Sequence, residues 1–162
     1  MRTTLLAVLL LGASIASGDE RAHEITAENV RLEMNAYRAE AGLAPLLFHE
    51  GLARAAESRM QDMADGGWWN HVSPEGTSPF VWLNVTDYRY AFAGENLAAG
   101  FETTRLLVET WMESPGHRAN ILGAQFTECG IAILDGSTRG PAAGRSIVVL
   151  FGRRMVEQVS TK

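Results

Sequence analysis

Cys129 is the only cysteine among 162 residues. One cysteine cannot form a disulfide within the chain, so the fold must rest on a packed core. Its setting, Glu128-Cys129-Gly130-Ile131-Ala132-Ile133, reads as a strand, where a free cysteine acts as a small buried hydrophobe rather than a nucleophile. Basic charge is scarce as well. The 14 Lys and Arg are outnumbered by 19 Asp and Glu, the formal net charge is −5 and the pI is near 5.4. Such a chain offers no electrostatic footprint for nucleic acid or anionic membranes. No segment approaches the run of about 20 apolar residues that a membrane-spanning helix needs. Repeats, low-complexity tracts and internal linkers are also missing.

The composition otherwise is that of one globular domain, with 46% hydrophobic residues and a length that suits a single core. The first residues read as a secretory signal. Met1 to Thr4 carry one arginine, Leu5 to Leu11 are apolar, and Ala16-Ser17-Gly18 supply small side chains before the first acidic pair, Asp19-Glu20. This is the order of a signal peptide over residues 1–18. A flexible stretch over 19–25, a domain over 26–154 and a tail over 155–162 follow. The expected location is secreted, extracellular or periplasmic, with no transmembrane anchor.

Thr26 is placed to cap a first helix, in which Val30, Met34, Tyr37 and Ala41 fall on one face before Gly42 and Pro45. A second helix is expected from about His49 to Asp65, with Leu52, Ala56, Met60 and Met63 as its apolar stripe. Residues 66–101, rich in Gly, Asn, Pro and aromatics, read as irregular, with one short helix begun by Ser78-Pro79. Thr103 or Thr104 caps a further helix through Trp111 or Met112, and Ser114-Pro115 restarts the chain as a short one. Beyond it, Cys129, Ile131 and Ile133 alternate, as do Ile147, Val149 and Phe151, with apolar residues between them. Both faces of this antiparallel hairpin require burial. The fold class is α/β: a three-layer α-β-α sandwich with a central antiparallel sheet flanked by helices.

Three segments stand out: His71-Val72-Ser73-Pro74-Glu75-Gly76, Gly94-Glu95-Asn96-Leu97-Ala98, and Trp111 to Leu122, which contains Ser114-Pro115-Gly116-His117. In this order and spacing they resemble the CAP superfamily of cysteine-rich secretory, antigen 5 and pathogenesis-related 1 proteins, in its small bacterial form. The resemblance covers roughly residues 26–152. It implies that His71, Glu95 and His117 line one cleft, with Ser73 and Asn96 beside them. From the residues alone, two imidazoles and a carboxylate form a common ligand set for a divalent ion such as zinc. With Ser114 as N-cap, His117 is the third helical residue, where the helix dipole disfavours an imidazolium.

The resemblance also implies a second glutamate three residues after the helix tryptophan, and Ser114 stands there. Glu113 is turned by about 100° on a helix, and Glu109 lies a turn earlier. Any metal would therefore rest on His71 and His117. The expected function is a non-enzymatic binding module for a small apolar ligand, a peptide or a surface partner, with a weakly held divalent cation. The competing expectation is a metal-dependent hydrolase using the same cleft, although no Gly-x-Ser-x-Gly elbow surrounds Ser73.

Overall fold

The computed structural model describes residues 24–137 and 144–156. The signal segment 1–18, His23 and most of the C-terminal tail lie outside the described residues.

Helix α1 (Ala27–Glu40) starts at Thr26, whose hydroxyl accepts from the Asn29 amide at 3.1 Å. Strand β1 (Leu47–Phe48) and helix α2 (Glu50–Gly66) follow, with the His49 imidazole accepting from the Gly51 amide. Helix α3 (Val81–Val85), strand β2 (Tyr90–Ala99), helix α4 (Thr104–Glu113), helix α5 (Pro115–Ile121), strand β3 (Glu128–Ser137) and strand β4 (Gly144–Arg154) complete the order. Thr103 caps α4 by accepting from the Leu106 amide. Ser78 accepts from the Phe80 amide, and α3 begins one residue after Phe80.

The sheet runs β1-β3-β4-β2. The three long strands are antiparallel, with Ile131 opposite Val149 and Asn96 opposite Val149 on the other side. The two-residue β1 adds a parallel edge. Alternation along β4 divides the core between two faces. Ile147, Val149 and Phe151 pack with Val30, Met34, Leu107 and Trp111 under α1, α4 and α5. Val148 and Leu150 pack with Leu52, Ala56, Met60 and Leu83 under α2 and α3. This is the three-layer arrangement the buried hairpin required. Gly130 allows the closest approach between layers: a Cβ there would lie 2.1 Å from backbone atoms of Leu52 and Ala53.

Two expectations are corrected. Residues 66–101 are not irregular throughout, because β2 occupies Tyr90–Ala99 and carries both Glu95 and Asn96. It contains no β-branched residue, and only Tyr90 and Phe92 at its start favour a strand, so pairing with β4 decides the rest. On α1, Ala41 is exposed, and the buried place belongs to Arg38, 1% exposed. Arg38 donates to the carbonyls of Ala44, Ile121, Gly123 and Phe126 at 2.8–3.0 Å. It therefore ties α1 to the carbonyl end of α5, where a cation is favoured by the helix dipole.

Candidate functional site

Strand β2 is a sheet edge, so groups from both helical layers can meet around it. The Gly94-Glu95-Asn96 segment exploits this. A Cβ on Gly94 would lie 2.9 Å from the Asn120 side chain, so glycine lets α5 approach. Glu95 points toward α2, where Arg59 Nε donates to its Oε2 at 3.1 Å. Asn96 faces α5, donating to the His117 carbonyl and accepting from Asn120, which also donates to the Glu95 carbonyl. The first turn of α5 is thereby fixed to the strand.

His71 arrives from the loop after α2. Its Nδ1 lies 2.8 Å from Glu95 Oε1. An ionised carboxylate only accepts, so Nδ1–H is the donor and Nε2 is the ring nitrogen that Glu95 does not engage. The His71 and His117 ring centroids are 6.5 Å apart, and His117 lies 6.3 Å from the Trp111 ring. The structure thus brings His71, Glu95 and His117 together from a loop, a strand and a helix. The half-exposed His71 has its pKa raised above the ordinary value, chiefly by the hydrogen bond to Glu95. His117 is pushed the other way, first by burial and then by the neighbouring charge of His71. It is the third residue of α5, but Ser114 makes no side-chain cap there.

Ser73 and Asn96 have other duties. The buried Ser73 hydroxyl donates to Glu75 and accepts from the amides of Glu75 and Thr77. It builds the turn after His71. Beside that turn, Trp68, Trp69, Asn70, Val72 and Pro74 line an open groove of about 470 Å³. Cys129 is buried, and burial raises its thiol pKa to about 12, which leaves it unreactive.

The donor set does not suit a metal ion. Among the described residues, no three His, Cys, Asp or Glu side chains are grouped to hold one. Both Glu95 oxygens are engaged by Arg59 and His71. Glu113 is exposed, and Glu109 pairs with Arg105 at 2.8 Å. The residue that sequence reasoning missed is Arg59, 1% exposed within an otherwise apolar helix face. Its charge between Ala56 and Met60 was the available signal.

Comparison with known proteins gives a consistent result. Residues 32–149 match the model of the cysteine-rich secretory protein family, CAP. The protein YkwD of Bacillus subtilis is 36% identical over 123 residues, 76% of this chain and 45% of that protein. The membrane protein YlbC of the same organism is 31% identical over 121 residues, 73% of this chain and 35% of that one. The chain therefore spans less than half the length of these relatives. Among solved structures, an extracellular SCP-domain protein from Bacillus anthracis superposes with a TM-score of 0.69 at 26% identity, covering 79% of this chain and 40% of that one. An outer surface protein from Borrelia burgdorferi gives 0.69 at 23% identity, covering 79% of this chain and 92% of that one. No helix among the described residues is long and apolar enough to cross a membrane. The motif order, the layered fold and the family match agree: the chain belongs to the CAP, or cysteine-rich secretory protein, family.

Proposed function

We propose that this domain is an exported, non-enzymatic binding module whose cleft, lined by His71, Glu95 and His117, takes a small apolar molecule, a peptide or a surface partner. The observation that carries this is the engagement of Glu95. One oxygen accepts from Arg59 and the other from His71, so the buried carboxylate serves to position those two side chains rather than to activate water or hold a catalytic metal. The Ser73 hydroxyl, two residues from His71, is committed to its turn and is not an activated nucleophile. The adjoining groove supplies apolar surface through Trp69, Pro74 and the half-exposed Val72, the usual lining of a small-ligand site. Two imidazoles alone would hold a divalent ion only weakly. Export is supported by the extracellular and outer-surface descriptions of the two superposable proteins.

Native mass spectrometry of protein recovered from its natural compartment without chelator tests this. Wild type is expected to retain one non-covalent organic adduct that the His117→Ala variant loses. Wild type that flies bare, or that carries one equivalent of metal instead, would overturn the proposal.

A further inference from the structure

We infer that Arg59 is the resident cation of the cleft: its guanidinium takes the place beside Glu95 that a metal ion would otherwise need, and it holds the His71 loop in position. This rests on the reading of His71, Glu95 and His117 as one site. The side chain is 1% exposed and joins strand β2 to the loop after α2. Nε meets Glu95 Oε2 on β2 at 3.1 Å, and one Nη donates to the carbonyls of Asn70 and His71 at 2.6 and 3.0 Å. The guanidinium also lies 4.7 Å from the Trp68 ring centroid. A planar fork suits this task, since it can serve a carboxylate and two carbonyls in fixed directions while stacking on an indole.

The consequence concerns metal chemistry. An ion ligated by Glu95 would sit about 2 Å from a carboxylate oxygen, pressed against a buried guanidinium of like sign. Arg59 therefore disfavours a metal at Glu95, and Glu95 acts as a positioning residue for His71. Arg59, not an ion, keeps the cleft in shape.

Zinc titration by calorimetry, with folding checked by circular dichroism, tests the inference. Arg59→Gln removes the competing charge and frees Glu95 Oε2, while Oε1 still supports the His71 imidazole from behind. Its zinc affinity is expected to rise by about tenfold or more over wild type. Arg59→Lys keeps the charge but loses the fork, so zinc affinity stays as in wild type while hydrogen exchange quickens across residues 69–73. The melting temperature of wild type is expected to be the same with and without EDTA. Equal or weaker zinc binding by folded Arg59→Gln would overturn the inference. So would Arg59→Lys that gains zinc affinity, or wild type that melts earlier in EDTA. If Arg59→Gln does not fold, the last two arms decide. None of these results depends on an organic ligand, so failure of the binding-module proposal would register separately in the mass spectrum.

Discussion

Replacing Trp111 with alanine is expected to lower folding stability by about 3–5 kcal/mol, the range for deleting a large buried aromatic. Trp111 is 2% exposed and sits among Leu107, Val108, Ile131 and Val149. It joins α4 and the sheet, and its indole N–H donates to the Leu97 carbonyl on the edge strand at 3.1 Å. The truncation removes apolar area, leaves a cavity and takes away that donor. For a domain of this size the loss corresponds to a fall in Tm of about 10 °C or more. Calorimetry would show it, and a Tm within a degree or two of wild type would mean that the packing is misassigned.

Arg38→Met is expected to cost on the order of 3 kcal/mol, because hydrogen bonds to four backbone carbonyls, three of them buried, are lost. The number is a balance. Burial lowers the Arg38 pKa, so enclosing the charge is itself unfavourable, and an apolar replacement of similar length recovers part of that cost. The carbonyls should still decide the outcome, because Ile121, Gly123 and Phe126 end α5 and its following turn with Arg38 as their side-chain donor. Urea unfolding would measure the loss. A variant as stable as wild type would show that water or rearranged backbone satisfies those groups.

Much of the fold was legible because the hydrophobic patterns were unambiguous. Doubly apolar alternation at Cys129 to Leu134 and at Ile147 to Phe151 can only be satisfied by helices on both sides. Thr26, and Thr103 as one of two candidate threonines, were recognisable as capping residues from their positions before apolar runs, whereas the Ser78-Pro79 start falls short of α3, whose N-cap is Phe80 without a side-chain cap. Strand β2 was not legible, since beyond Tyr90 and Phe92 its alanines, glycine and polar pair carry no strand propensity, and its pairing is set by β4 far along the chain. The same gap hid how the site closes. Glu95 and Asn96 point to opposite layers only because they are neighbours in a strand. Arg38 and Arg59 were passed over for a related reason. A buried arginine is identified by its acceptors, and those lie on loops and helix ends distant in sequence. The convergence of His71 with His117 came from the ordered motifs, since no spacing rule links residues 46 positions apart.

The central claim, that His71, Glu95 and His117 form one coupled cleft, is tested most directly by NMR titration of the two imidazoles in EDTA, in wild type and in Glu95→Gln. His71 should titrate above 6.5 and His117 below it. Protonation of His71 then favours the folded state, a contribution present below pH 6.5 and lost as pH rises through its folded pKa. His117 acts in the opposite sense, favouring the folded state while neutral and opposing it as pH falls through its lowered pKa. In Glu95→Gln the His71 midpoint should fall, because its largest support is removed, and the two curves should draw together. Coincident curves near 6.5 in wild type, unmoved by Glu95→Gln, would contradict the account.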